Sequence, residues 1–366
     1  YEDSAGVLWI GTWGGGINKY DRSMERFVHL QNDPQDPNSL SHNRVLVVYE
    51  GRSGILWVGT DGKGLDRFDR APGRWRNYRY DPDDPHSLSG NYVASIAEDP
   101  SGGLWVATWG EGLNLFDPTS GQFVHYRNDP EDPGSLADDM LWSLHVDQQG
   151  VLWVGTARSG LDRFDRETGR FVHYAHDPED PGSLSDDTVR VIYEDRAGRL
   201  WIGTNGGLNL LERDREQFMR YQHDPDDPQS LGYDVVSSIY EDQAGILWLA
   251  TGGGLDRFDP EVGAFSHYTE EDGLPGTATL AVLGDGQVRL WISTLKGLSR
   301  FDPETGTFRN YDLSDGLQGY MFTSGACHKN ADGELFFAGA NGLTAFHPDR
   351  VVDNDYVPPV VLTSLQ

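Results

Sequence analysis

One short phrase, Leu-Trp-x-Gly-Thr or a near variant, recurs along the whole chain. It centres on Trp9, Trp57, Trp105, Trp153, Trp201, Trp248 and Trp291, with a worn eighth copy at Phe336. Successive spacings are 48, 48, 48, 48, 47, 43 and 45 residues. A fixed period of this kind overrides local secondary-structure guesses, because each unit must bury its faces against its neighbours. The length suits a propeller blade and is too long for leucine-rich or ankyrin units.

The unit from Asn91 to Tyr126 shows how the strands fall. Val93 to Glu98 is an apolar run closed by the turn Asp99-Pro100-Ser101-Gly102, which predicts an inner strand, A. Leu104 to Thr108 is a second strand, B, rich in β-branched and aromatic side chains. Gly110-Glu111-Gly112 turns the chain into strand C, Leu113 to Asp117, and Pro118 to Gly121 leads to the outer strand D, Gln122 to Tyr126. Four antiparallel strands on short turns make one blade, so the expected fold is an all-β propeller. The recurring Trp is expected to pack between blades, and the Gly that follows it to lie where backbones approach closely. His125, His173 and His267 of strand D also recur by position and read as half-exposed sheet residues.

Two copies are incomplete. The first starts after its A strand, and the last has A (323–329), B (334–339) and C (343–346) but no D. If residues 26–30 supply that missing D strand, the ring closes with seven blades and no open sheet edge. An eight-bladed ring with a ragged join is the alternative. The seven-bladed count divides the chain into a partial blade at 1–22, left from a preceding propeller or an extra blade, a propeller at 23–350, and a linker at 351–366. Tyr1 to Asp3 reads as the tail of a repeat already under way, so a longer protein is expected, and targeting signals would lie outside this segment.

The chain carries 58 acidic against 29 basic residues, a formal charge of -29. Such a charge repels phosphate backbones and anionic membrane surfaces, so neither nucleic acid nor direct membrane contact is expected. Its one cysteine, Cys327, excludes an internal disulfide and a thiolate cluster within the chain, which fits either cytoplasm or a periplasm-like space. The Gly count of 45 and an aromatic content of 11% suit many short strands with tight turns.

In the strand order A to D, the D-to-A and B-to-C connections emerge on one face. The long D-to-A loops repeat Asn-Asp-Pro-Gln-Asp-Pro-Asn-Ser-Leu at 32–40, with close copies at 80–88, 128–136, 176–184 and 223–231. Their acidic residues could offer oxygens to calcium, but the loops lack dense Asp-x-Asp-x-Asp-Gly spacing, so no cofactor is expected. Better candidates are the positions on this face where the copies disagree. After strand B one column reads Trp13, Asp61, Trp109, Ala157, Asn205, Gly252 and Leu295, with Lys63, Glu111, Arg158 and Lys296 close behind. Early in strand A another reads Leu46, Ala94, Trp142, Arg190, Ser237 and Leu280. Exposed Trp rings suit stacking on sugars or apolar ligands, and isolated cations in an acidic protein suit an anionic group. The candidate ligand-binding residues are therefore Trp13, Lys63, Trp109, Trp142, Arg158, Arg190 and Lys296, with surface drift or plugging of the channel mouth as the structural alternative.

The repeat Val-x-x-Ile-x-Glu-Asp-x-x-Gly-x-Leu-Trp-Val-Gly-Thr-x-x-x-Gly-Leu-x-Arg-Phe-Asp resembles the two-component regulator propeller repeat, most clearly in Val189 to Asp195 with Gly198 to Thr204 and in Leu152 to Asp165. Asp-Gly-Leu at 272–274 and 315–317 resembles that family's alternative linker, and Tyr356-Val357-Pro358-Pro359 resembles the entry to a triple-tyrosine sandwich domain. The resemblance implies the periplasmic or extracellular sensor of a membrane receptor whose output is a kinase or cyclase outside this segment, with dimerisation through a following domain compatible with it. The expected function is binding of a small molecule or oligosaccharide on the D-to-A and B-to-C face. A protein-interaction scaffold is the alternative, and a propeller lyase or hydrolase acting on polysaccharide is the second. No nucleophile with a base, unique carboxylate pair or metal triad stands out, so the segment is read as non-enzymatic.

Overall fold

The computed structural model describes residues 1–2, 7–13, 16–21 and 26–351. They form seven four-stranded antiparallel sheets and one separate two-stranded hairpin. Blade I is Val45–Glu50, Ile55–Thr60, Leu65–Asp69 and Arg74–Tyr78. Blade II is Val93–Glu98, Leu104–Thr108, Leu113–Asp117 and Gln122–Tyr126. Blades III to VI begin at inner strands Leu141–Val146, Val189–Glu194, Val236–Glu241 and Thr279–Gly284 and end at outer strands Arg170–Tyr174, Gln217–Tyr221, Ala264–Tyr268 and Thr307–Tyr311. Blade VII joins Phe322–Lys329, Leu335–Gly339 and Gly342–Phe346 to Val28–Leu30 from the other end of the chain.

That last pairing closes the ring, and an aromatic pair explains why this strand fits. In five blades a C-strand Phe packs on the D-strand aromatic: Phe68 on Trp75, Phe116 on Phe123, Phe164 on Phe171, Phe258 on Phe265 and Phe301 on Phe308, with centroids 4.3–5.0 Å apart. Phe27, immediately before the closing strand, makes the same pair with Phe346 at 5.0 Å. The backbone register follows, with Val28 opposite Ala345 and Leu30 opposite Leu343. The strand is shorter than the sequence suggested, three residues in place of five, but it is the expected one. The eight-bladed alternative fails because the first copy, Val7–Thr12 paired with Gly16–Asp21, lies outside every blade. Its Trp9 is 40% exposed, whereas the B-strand tryptophans of the blades are 0–5% exposed. The expected sandwich entry at Tyr356 lies outside the described residues.

One buried cluster fills each gap between adjacent blades. A B-strand Trp belongs to six of these clusters and Phe336 to the seventh, and Trp57, Trp105, Trp201, Trp248 and Trp291 each set an indole against the C-strand Phe of the next blade, with centroids 4.6–5.8 Å apart. Edge-to-face and tilted contacts of this kind add to the area each ring removes from water. The indole N–H must also be satisfied once buried. In blades II to V it donates to the Asp of its own A-to-B turn: Trp105 to Asp99, Trp153 to Asp147, Trp201 to Asp195 and Trp248 to Asp242, at 2.9–3.2 Å. The same carboxylate takes the turn's backbone N–H groups, as Asp147 does from Gln149 and Val151. One residue thus folds the turn and anchors the ring.

The position two residues after the Trp obeys a size rule. Gly59 and Gly203 face Val47 and Val191 across the A–B ladder, Ala107 and Ala250 face Ser95 and Ser238, and Ser293 faces Ala281. A Cβ at Gly59 would sit 2.5 Å from Val47 Cγ1 and 2.8 Å from the Val93 carbonyl of the next blade, so glycine is needed there; Gly155 faces Ser143, where a Cβ would meet Ser143 Oγ and the Val189 carbonyl in the same way.

Trp291 departs from the pattern, since its Nε1 is buried without a partner. Replacing Trp153 by Phe removes both ring volume and the bond to Asp147, whereas Trp291→Phe removes volume alone. Trp153→Phe is therefore expected to cost about 1–2 kcal/mol more than Trp291→Phe in urea unfolding. Equal costs would show that the indole–carboxylate bond contributes nothing net.

Candidate functional site

The inner strands line an axial channel, and six of them share an irregularity at one place. Pairing with strand B skips a residue between Val45 and Val47, Val93 and Ser95, Leu141 and Ser143, Val189 and Val191, Val236 and Ser238, and Thr279 and Ala281. The skipped residues are Leu46, Ala94, Trp142, Arg190, Ser237 and Leu280, the variable column of the sequence. Each is the extra residue of a β-bulge, freed from the ladder and re-aimed, and Leu46, Ala94, Trp142, Arg190 and Ser237 line the channel. The second variable column sits beside the first. The N–H of Asp61, Trp109, Ala157, Asn205 and Gly252 donates to the carbonyl of Arg44, Tyr92, Met140, Thr188 and Val235, one residue before each A strand.

A cavity of about 390 Å³ opens where these columns meet on blades I to III and VII, walled by Arg44, Leu46, Asp61, Tyr92, Trp109, Trp142 and Thr323. It shares Leu46, Ala94, Trp142 and Ser324 with the axial channel below, whose own volume is about 440 Å³. Trp109 meets Trp142 edge to face at 5.1 Å and 75°. Arg190 lies over the Trp142 ring, its Cζ 4.7 Å from the centroid, and its Nε donates to Asn205 Oδ1. Arg44 pairs with Asp61 at 2.5 Å. Tyr92 and Trp109 stay 49% and 38% exposed, a large apolar surface left facing water.

Of the seven candidate residues, the structure brings Trp109, Trp142 and Arg190 together. Trp13 sits on the separate hairpin, fully exposed and apart from both cavities. Lys63 is exposed on the blade I loop outside the cavity walls. Arg158 is held by both oxygens of Asp138 at 2.9 Å, and Lys296 pairs with Glu270 at 3.1 Å. Tyr92 and Arg44 were missed by the sequence reading, although the position before strand A varies as freely, through Arg44, Tyr92, Met140, Thr188 and Val235.

Farther down the channel, burial favours the neutral form of two histidines, two tyrosines and the cysteine. It pulls His145 and His328 down to about 4 and pushes Tyr49, Tyr193 and Cys327 up to about 12. The Nε2 of His145 is buried with no hydrogen-bond partner.

The loops around the mouth are stiff for reasons written in their own side chains. In the loop at 128–136, Asp129 accepts from the Glu131 N–H, Asp132 from Gly134 N–H, and Ser135 Oγ bridges both backbone groups of Asp129; the other four long loops repeat this. Two aspartates in each loop are thus engaged by backbone. Among the described residues no three or more His, Cys, Asp or Glu side chains converge to hold a cation. The D-strand histidines pin the loops to the blades. His173 Nδ1 lies 2.6 Å from the buried Asp162 and its Nε2 3.0 Å from the Pro133 carbonyl; His267 repeats this with Asp256 and Pro228.

Five stretches, residues 39–62, 87–110, 135–158, 183–206 and 230–253, match the family model described as the two component regulator propeller. The chain carries five two-component regulator propeller repeats. Each matched stretch of this regulator propeller runs from the end of a D-to-A loop through strands A and B. A solved structure of the extracellular domain of a hybrid two-component system from B. thetaiotaomicron is 29% identical, with a TM-score of 0.82 over 99% of this chain and 46% of that one. The regulator propeller therefore spans about half the length of that relative. Virginiamycin B lyase from Staphylococcus aureus (13% identity, 87% of this chain and 97% of that one, TM-score 0.63) and PorZ, a surface component of the type-IX secretion system of Porphyromonas gingivalis (15%, 93% and 57%, TM-score 0.54), share the fold alone. No curated protein matches the regulator propeller in sequence. Among its described residues no helix is long and apolar enough to cross a membrane.

Both ring nitrogens of His173 and His267 face acceptors, which favours the doubly protonated ring, and their carboxylate partners raise both pKa values above the usual 6.5. The sign follows: the stability they add is fully present below pH 6.5 and is lost as pH rises through the raised values. Asn114 and Asn209 fill the Asp162 position in blades II and IV and take the same loop N–H. Asp162→Asn is therefore expected to fold and to flatten part of the decline in melting temperature between pH 6 and 8.5. An unchanged pH profile would remove His173 as its source.

Proposed function

We propose that this chain is the extracytoplasmic sensing module of a two-component type receptor, and that it binds a small molecule or oligosaccharide at the channel mouth. The observation that carries the reading is the Trp109–Trp142–Tyr92 surface beside Arg190, in which Trp142 and Arg190 stand on bulges outside the ladder. Flat aromatic faces with a polar neighbour suit the apolar face of a sugar ring or a small planar ligand. The 29%-identical extracellular relative supports a sensor role and a location outside the cytoplasm. The leftover hairpin at 7–21 is compatible with a preceding propeller in a longer receptor, as the 46% coverage of that relative also suggests.

A non-enzymatic role is supported by how the polar groups of this face are used. His125, His173 and His267 are held in loop contacts, and Asp61 is paired with Arg44. Among the walls of the mouth no histidine is present and the carboxylate, Asp61, is engaged, which supports binding over acid–base chemistry there.

A thermal-shift screen of the chain against oligosaccharides and small organic acids tests the reading, because a ligand that binds only the folded state raises its melting point. A saturable shift is expected, with affinity weakened at least about 10-fold by Trp142→Ala. No shift with any compound class, in a chain that melts cooperatively, would move the mouth from small-ligand sensing to docking of a protein partner.

A further inference from the structure

The charge around the axial channel runs against the charge of the chain. The formal charge is -29, yet no Asp or Glu is among the residues lining the channel. Its walls hold two cationic side chains, Arg190 near the mouth and Lys329 deeper. The A-strand carboxylates Glu98, Glu194 and Glu241 stand at the opposite end, where each accepts a backbone N–H from the preceding blade, of Arg52, Gln148 and Arg196. Lys329 is committed to the Gly284 carbonyl at 2.9 Å.

Arg190 is different. Elsewhere on this face Arg44, Arg127 and Arg158 are each matched to a carboxylate, Asp61, Glu111 and Asp138. Arg190 forms no ion pair among the described residues, although Asp186 lies near enough to be felt through space. Its plane is held on Trp142 and its Nε is taken by Asn205, so its direction is set and the Nη1 and Nη2 pair remains to donate. A half-buried guanidinium costs desolvation free energy that no ion pair among the described residues offsets, and a bidentate anion would offset it.

We infer that the ligand of this mouth is anionic: a ring-bearing molecule, such as an acidic saccharide, whose carboxylate or sulfate is held end-on by Arg190 while its flat face rests on the Trp109–Trp142 surface. The inference rests on the sensing reading above and narrows its ligand class. The fork of two parallel N–H groups matches both oxyanions, whereas a neutral sugar offers it only hydroxyls. The axial channel is lined by no carboxylate, and Asp61, the carboxylate among the mouth's walls, is paired with Arg44, which weakens the acidic field of the chain at short range.

Isothermal titration of the whole chain with matched probes tests this. The probes are digalacturonic acid, its dimethyl ester, a sulfated disaccharide and the same disaccharide without sulfate. The expected result is that an acid form binds, its neutral counterpart binds roughly 10- to 100-fold more weakly, and Arg190→Gln brings the acid down to the neutral level. The carboxylate and sulfate arms then say which oxyanion is preferred. Neutral and acidic forms that bind alike, with Arg190→Gln silent and Trp142→Ala damaging, would overturn the anionic class and leave the sensing reading standing. No binding by any of the four would overturn both. The melting temperature of Arg190→Gln, expected to stay near that of the parent, separates loss of binding from loss of fold.

Discussion

A ring of sheets holds together only if each sheet buries a face against the next, and here the contact repeated at nearly every gap is one indole. In Trp105, Trp201 and Trp248 it is gripped from two sides. The next blade supplies a Phe edge, and the blade's own A-to-B turn supplies a carboxylate for the N–H. Because the carboxylate also closes that turn, burying the ring and folding the hairpin are one event. Arginines from neighbouring blades join the same nodes: Arg213 of blade IV bonds Asp147 of blade III at 2.9 Å, and Arg166 of blade III bonds Asp99 of blade II. Stability in such an array is a sum of neighbour terms, so it depends little on what stands at the channel mouth.

The bulges turn that independence into a place for recognition. A residue inside the A–B ladder answers to its cross-strand partner, as the Gly–Val and Ala–Ser matches show. A residue on the bulge answers to no partner in the ladder, so its identity is free to vary around the ring. The result is lopsided: aromatic rings and a fixed cation gather on blades II to IV, while Ser237 and Leu280 occupy the same position on V and VI. A ring of near-identical blades thereby carries a single polarised mouth.

Much of the fold was legible in the sequence because packing repeats and repetition is visible. The Trp spacing gave the blades, and the missing D strand pointed to residues near 26–30, where Phe27 completes the aromatic pair. The site was legible only as columns of disagreement. Trp142 and Arg190 were found that way, but nothing in a linear pattern says that position 142 is a bulge or that Trp109 touches it across a blade gap. Arg158 and Lys296 looked like free cations until the fold brought Asp138 and Glu270 to them. Trp13 matched the column by phase, yet its copy lies outside the ring. The D-strand histidines read as bland sheet residues, since their loop and carboxylate contacts join segments about 40 and 11 residues apart.

The central claim is that frame and recognition are separable in this chain. The direct test is to replace Leu46, Trp142 and Arg190 together by serine, the residue blade V already carries at its bulge, and to follow thermal unfolding. Such mouth positions are expected to contribute only small terms each, so the melting midpoint should move by no more than a few degrees and the transition should stay single. A chain that loses cooperative unfolding, or melts far below the parent, would contradict the account and make the mouth residues part of what holds the ring together.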